Sequence, residues 1–149
     1  MYQLTEPAYK MRIAFNLRKG HPTSSLLVRK AIAYALDVQE IIQRATGGLA
    51  EPAYGRWGKG QVPIHPDVTR YNYDPAKAEA LLDQAGYKKG TNGIRFTLNV
   101  MGRRGEPEED AVKELLRDQL AKIGIDVKLN IYDIGTLLLM MWVETGSVE

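Results

Sequence analysis

The chain has 149 residues, with 20 Lys and Arg against 18 Asp and Glu and with no cysteine. Its near-neutral charge gives no basic field of the kind that binds nucleic acid. The lack of thiols excludes disulfide frameworks, thiolate metal sites and cysteine nucleophiles. Hydrophobic residues at 44% and charged residues at 26% are typical of a folded globular chain. We therefore expect a single domain over residues 1–149.

The N-terminal residues predict a strand and no leader peptide. Residues 1–10 mix charged residues and Pro with single apolar residues, so they lack the apolar core of a signal peptide. Residues 11–17 alternate apolar Met11, Ile13, Phe15 and Leu17 with other residues. A period of two predicts a strand with one buried face.

Two helices are predicted next. Apolar residues recur every three or four positions from Leu27 to Leu36, which predicts a helix that begins near residues 24–25. Asp37 is placed to end this helix and to cap a second one over residues 38–45. The second helix is expected to stop at the glycines of residues 47–48, because glycine adopts the left-handed conformation of a helix end.

A long loop separates these helices from the next one. Residues 47–72 are rich in Gly and Pro and predict irregular structure. Tyr54 and Trp57 lie in this loop and either stack on a ligand or pin the loop to the core. The helix that follows begins at Asp74, since a carboxylate caps free amides and the next residue is proline, and it ends at Gly86.

A strand, a helix and a second strand come next in the chain. Residues 94–100 alternate, residues 112–123 repeat with a helical period, and residues 125–131 alternate again. Two strands joined by a helix lie parallel. The predicted class is therefore α/β, with a mixed or parallel sheet flanked by helices.

The last predicted helix, over residues 134–143, is apolar on nearly all sides. Its apolar run, Leu137–Val143, is far shorter than the roughly 20 residues that a membrane span needs. An exposed face of this kind needs a partner surface. We expect the sheet to be incomplete at the C-terminus, and we expect self-association through Leu137–Val143.

The candidate binding residues are Arg103 and Arg104, which lie between the first predicted strand of this unit and its helix. The carboxyl ends of parallel strands are where α/β sheets bind ligands, and guanidinium groups match carboxylates. The surrounding residues lack the Gly-rich, Lys-ended phosphate motif. The alternative is a solvated loop whose positive charge meets nearby carboxylates. Those carboxylates are Glu106, Glu108, Glu109 and Asp110.

Catalytic and metal chemistry finds little support in the sequence. No serine stands in a Gly-Xaa-Ser-Xaa-Gly turn, as a hydrolase nucleophile of that type requires. His21 and His65 lie in loops with no second imidazole at ligand spacing. We predict no metal site, no cofactor and no enzymatic activity.

Two stretches resemble a known family. They are residues 28–37, VRKAIAYALD, and residues 73–87, YDPAKAEALLDQAGY. The pattern is similar to that of the extracellular solute-binding proteins, family 5, which serve peptide, oligopeptide and nickel transporters. Shorter matches at residues 15–17, 48–55 and 122–125 follow the family's order, so the resemblance covers nearly the whole chain.

The resemblance implies a two-lobed protein of the periplasm or cell surface that binds a peptide or another small molecule and passes it to an ABC permease. This chain resembles the first part of the second lobe, so it would be a fragment that binds ligand weakly or not at all alone. In dipeptide-binding members, a basic residue after the strand that ends near Met101 meets the ligand carboxylate. Arg103 and Arg104 match that place.

A rival function from another class uses the same two arginines. A small enzyme or regulatory α/β domain would bind an anion such as phosphate through Arg103 and Arg104.

Overall fold

The computed structural model describes residues 11–53, 67–105 and 107–145, with side chains as far as Met140. The described residues form five α-helices and two strands. In chain order these are α1 (Leu26–Ala35), α2 (Val38–Thr46), α3 (Pro75–Gln84), β1 (Phe96–Arg103), α4 (Pro107–Lys122), β2 (Ile125–Tyr132) and α5 (Ile134–Thr145). Within these ranges, no helix has both the length and the apolar character needed to cross a bilayer.

Helices α1 and α2 have the boundaries that the sequence predicts. A short 3-10 turn precedes α1, which begins after Ser25. The Asp37 carboxylate accepts the amide N–H of Glu40 at 3.0 Å and so caps α2. Gly47 ends α2 in the left-handed conformation, with φ 62°. The buried stripe of α1 is Val28, Ala31, Ile32 and Ala35.

Helix α3 also begins and ends where the sequence predicts. The Asp74 carboxylate accepts the amide N–H of Lys77 at 2.9 Å, and Pro75 occupies the first helical position. Gly86, with φ 88°, turns the chain away after the last helical turn. Ala78 and Leu82 are both 0% exposed and belong to the core that α1 also enters.

The sheet is a parallel pair, β1 and β2, joined by α4. Phe96 lies opposite Ile125 at one end, and Arg103 lies opposite Tyr132 at the other. Helix α4 covers one face of the pair, and its Leu116 and Leu120 join the core. This arrangement confirms the predicted strand, helix, strand unit and the α/β class.

The predicted strand over residues 11–17 is wrong. The structure gives these residues no strand pairing. Met11, Ile13 and Leu17 are 39%, 45% and 62% exposed, and of the four alternating apolar residues only Phe15 packs against the core. A strand needs a neighbour for its amides and carbonyls, and no described residue supplies one here.

A buried arginine closes the amino end of the sheet. The side chain of Arg95 is 2% exposed. Its guanidinium donates to the carbonyls of Tyr87 at 2.6 Å and Ile123 at 2.9 Å, and it pairs with the Asp83 carboxylate and with Glu79 at 3.2 Å. Arg95 therefore ties the end of α3 to the end of α4 at the amino ends of both strands.

Candidate functional site

The candidate site lies at the carboxyl ends of β1 and β2. Arg103 is the last residue of β1 and Arg104 follows it, so both lie at the strand end to which the sequence assigned them. Helix α4 starts three residues after Arg104, and α5 starts two residues after the end of β2. Two helix starts and two strand ends therefore meet at this edge.

One peptide unit at this edge is held at both of its polar atoms. The carbonyl oxygen of Arg103 accepts a hydrogen bond from Lys113 Nζ at 2.6 Å. The amide N–H of Arg104, in the same peptide unit, donates to the carbonyl of Tyr132 at 2.8 Å. The orientation of this peptide unit is therefore set by one contact from α4 and one from β2.

The two arginine side chains have different surroundings. Arg103 Nη2 lies 3.0 Å from Glu109 Oε1, and these side chains are 30% and 13% exposed. Arg104 is exposed, and within the described residues no hydrogen bond or ion pair forms at its guanidinium. The predicted pairing of loop charge with carboxylates of α4 is thus present for Arg103 through Glu109. Asp110 pairs instead with Lys113, at 2.6 Å.

Lys113 belongs to this edge, although the sequence argument did not single it out. Its side chain is only 11% exposed. Its stem crosses the place where a side chain of residue 102 would lie, since a Cβ on Gly102 would come within 2.6 Å of Lys113 Cδ. A signal was present in the sequence, because Lys113 lies in line with Leu116 and Leu120 on the apolar stripe of α4.

A carboxylate lies at the end of the second strand. Asp133 follows β2, and its oxygens accept the amide N–H of Thr136 at 3.0 Å and the hydroxyl of Thr136 at 2.5 Å. The Thr136 hydroxyl and then its amide hold the pKa of Asp133 below the ordinary value. Asp133 is therefore a charged cap of α5, and it places a negative group on the same edge as Arg104.

Most of the other residues singled out from the sequence fall in parts of the chain that the structure does not describe. Tyr54, Trp57, Glu106 and His65 lie outside the described residues. His21 Nε2 lies 3.4 Å from the Asn16 amide nitrogen, in the turn before α1. In the part of the chain that the structure describes, no group of three or more His, Asp or Glu side chains could hold a metal ion.

Comparison with known families decides the classification of the chain. Residues 3–141 match the middle region of the bacterial extracellular solute-binding proteins, family 5. The chain belongs to this family. The match includes α1 to α4, both strands and the two arginines at the sheet edge.

Individual relatives of this family member bind different solutes. This chain is 30% identical over 126 residues to the dipeptide-binding protein of Escherichia coli K12, and the match covers 85% of this chain and 23% of that protein. It is 28% identical over 136 residues to the nickel-binding periplasmic protein of the same organism, covering 85% of this chain and 25% of that protein.

A solved structure shares the fold of this chain. The dipeptide-binding protein of Pseudoalteromonas sp. SM9913, in complex with Met-Leu, superposes with a TM-score of 0.76 at 27% identity. The match covers 86% of this chain and 25% of that structure. The family 5 chain described here thus spans about a quarter of the length of these relatives, and its α/β fold is that of a solute-binding protein.

Proposed function

We propose that this chain is part of the second lobe of a longer, two-lobed protein that captures a small solute, with peptides as the first candidates. The captured solute would pass to an ABC permease at the outer face of the cell membrane. Support comes from the family match over residues 3–141 and from relatives that are about four times longer than the matched segment. Under this proposal the protein binds its ligand and makes or breaks no bond.

The observation that carries the proposal is the fixed peptide unit between Arg103 and Arg104 at the carboxyl ends of the strands. These two hydrogen bonds fix the backbone from which the Arg104 side chain extends into solvent. A donor on a fixed backbone loses less conformational entropy when it binds a ligand. Since Arg103 already pairs with Glu109, Arg104 is the cation better placed to meet a ligand carboxylate. Arg103 would then lie next to the ligand contact and help to hold the site.

Tyr54 and Trp57 remain proposed ligand contacts. Both precede α3 in the chain and belong to the aromatic-rich segment after α2. An aromatic ring provides a flat apolar surface that packs on a peptide side chain. They would complement Arg104, which addresses only the charged end of a ligand.

Binding by this chain alone is expected to be weak. In a two-lobed protein the ligand stabilises the closed state through contacts to both lobes. One part of one lobe supplies only some of those contacts, so we expect dissociation constants of roughly millimolar or weaker. The complete two-lobed protein is expected to bind at least a hundredfold more tightly, because closure adds the second set of contacts.

The test compares trialanine with trialaninamide, which lacks the terminal carboxylate. Both are titrated into the ¹⁵N-labelled chain while the Arg104 side-chain Nε–H resonance is followed. A shift of this resonance caused by trialanine alone, and kept in the surface control Arg117→Met, supports the proposed carboxylate contact. Arg104→Met lacks this resonance, so the readout in that variant is the backbone amide of Gly105, whose accompanying trialanine shift should be lost. Equal shifts from both peptides, or none in either this chain or a two-lobed protein that contains it, would contradict the contact.

The rival anion-binding function is tested in the same experiment. Inorganic phosphate replaces the peptides in a third titration of the same chain. A phosphate-specific shift that involves Arg103 as well as Arg104, with no response to trialanine, would favour an anion-binding enzyme or regulatory domain over a peptide-binding lobe.

A further inference from the structure

We infer that Lys113 is a positioning residue that sets the direction in which Arg104 leaves the sheet. The inference rests on the proposed function of Arg104 as a ligand contact. It concerns the device that holds this arginine and not the ligand contact itself. Lys113 touches no ligand under this proposal, because its ammonium group is engaged within the protein.

The first support is the geometry of the shared peptide unit. Lys113 Nζ donates to the Arg103 carbonyl at 2.6 Å, and the Arg104 N–H donates to the Tyr132 carbonyl at 2.8 Å. The carbonyl and the N–H point to opposite sides of one planar peptide. Without the Lys113 contact, only the hydrogen bond to β2 would hold this peptide plane. The plane could then rotate more freely, and the direction of the Arg104 side chain would vary more.

The second support is the burial of the lysine. Long charged side chains are seldom buried in proteins unless they are paired. The side chain of Lys113 is 11% exposed, and its charge is balanced by Asp110 at 2.6 Å. The ammonium is thus held in place by two partners, a carboxylate of its own helix and the end of β1.

The third support is the glycine under the lysine stem. Gly102 lies on the α4 side of β1, and a Cβ there would come within 2.6 Å of Lys113 Cδ and 3.3 Å of Ile131 Cδ1. The stem of Lys113 therefore fills the space that any larger residue at position 102 would take. Glycine at this position allows the ammonium to reach the last carbonyl of the strand.

The experiment measures hydrogen exchange at the Arg104 amide in the full chain. Lys113→Met keeps an unbranched stem and removes the donor, and we expect exchange at Arg104 to rise roughly tenfold as one hydrogen bond of the unit is lost. The amides of Leu98 and Val100, in the middle of the ladder, should change less than threefold. Lys128→Met, at an exposed position of β2, should leave all three amides unchanged.

Two further variants separate positioning from general stability. Lys113→Arg retains a cationic donor and should restore at least part of the Arg104 protection. Gly102→Ala displaces the lysine stem and should raise exchange at Arg104 by a second route, which covers the case in which Lys113→Met does not fold. Equal exchange at Arg104 in wild type, Lys113→Met and Gly102→Ala would overturn the inference, as would a uniform rise at every ladder amide.

Failure of the ligand contact has a different signature. Trialanine should shift the Arg104 Nε–H resonance more than trialaninamide does in the wild type, and this difference should shrink at least threefold in Lys113→Met. If neither peptide affects Arg104 in the wild type but Lys113→Met still raises its amide exchange, the peptide contact is wrong and the positioning by Lys113 stands.

Discussion

Gln119 and Asp37 are joined side chain to backbone across 82 residues of sequence. Gln119 Oε1 accepts the amide N–H of Asp37 at 2.9 Å, and Gln119 Nε2 donates to Glu40 Oε2 at 2.8 Å. Gln119 is 2% exposed and lies on α4, so a single buried amide group connects α4 to the first turn of α2. The junction between α1 and α2 therefore depends on a residue far along the chain.

We predict that Gln119→Leu lowers the free energy of unfolding by about 2 kcal/mol, because the Asp37 N–H would be left without its acceptor. Urea denaturation monitored by circular dichroism measures the change. Gln39→Leu, at an exposed position of α2, should cost less than about 0.5 kcal/mol. Equal effects of the two substitutions would show that the amide link adds nothing.

The Glu40 carboxylate makes stability depend on pH in acid. The hydrogen bond from Arg44 is the main reason that the pKa of Glu40 lies below its ordinary value of 4.5, and the hydrogen bond from Gln119 lowers this pKa further. A carboxylate with a depressed pKa stabilises the folded state above its unfolded pKa, and this contribution is lost as the pH falls through the folded pKa. Glu40→Gln should therefore destabilise the chain at about pH 7 and have little effect at about pH 2. Urea unfolding of both proteins at several pH values tests this, and a difference that grows toward low pH would contradict it.

Two glycines with nearly the same φ should respond differently to substitution by alanine. Gly86 and Gly124 have φ values of 88° and 85°. A Cβ on Gly86 would meet nothing within 4 Å, whereas one on Gly124 would come within 2.7 Å of the Gly93 carbonyl oxygen. We expect Gly86→Ala to cost about 1 kcal/mol from backbone strain and Gly124→Ala about 3 kcal/mol or more. Thermal unfolding of the two variants measures the loss of stability in each. Equal losses would show that the Gly93 carbonyl moves aside freely.

Arg95 should be the most sensitive arginine in the described part of the chain. Arg95→Met removes the donors to the Tyr87 and Ile123 carbonyls, and we expect a loss of about 2–4 kcal/mol. The control is Arg117→Met, because Arg117 and its partner Glu114 are 46% and 51% exposed. A surface pair of this kind contributes at most about 1 kcal/mol. Chemical denaturation of both variants provides the measurement, and comparable losses would contradict the assigned role of Arg95.

Self-association through Leu137–Val143 stays a prediction. Leu138 and Leu139 of α5 are 50% and 64% exposed, so at least half of the surface of each is left uncovered by the described residues. Light scattering of the isolated chain should show a rising average mass with concentration, and Leu138→Glu with Leu139→Glu should reduce it. Val38→Glu, at a 42% exposed position of α2, is the matched control. A wild-type chain that stays monomeric throughout would refute this prediction.

The helix ends were predictable because their signals are local. The carboxylates of Asp37 and Asp74 cap amides three residues further on, and Gly86 supplies a conformation that few other residues adopt. Each of these contacts lies within one or two helical turns. Periodicity likewise predicted β1, α4 and β2, because each has one face toward the core.

The tertiary contacts of the site were less accessible to sequence reasoning. Arg103 and Arg104 were placed correctly at a strand end, since strand order and helix order fix that edge. The contact of Lys113 with the Arg103 carbonyl depends on how α4 is rotated over β1, which periodicity leaves open. The failed strand over residues 11–17 has the same cause, because pairing requires a neighbour that local alternation does not supply.

The parallel pairing of β1 with β2 has a consequence for the order of folding. The Thr97 hydroxyl donates a hydrogen bond to the Asp126 carboxylate, which lies 29 residues further along the chain. No tight turn therefore brings these strands together. The intervening chain must close as a large loop, and its entropy cost is offset only when α4 buries Leu116 and Leu120 against the strands. The sheet and α4 should therefore form in one step, because neither strand can pair before this loop has closed.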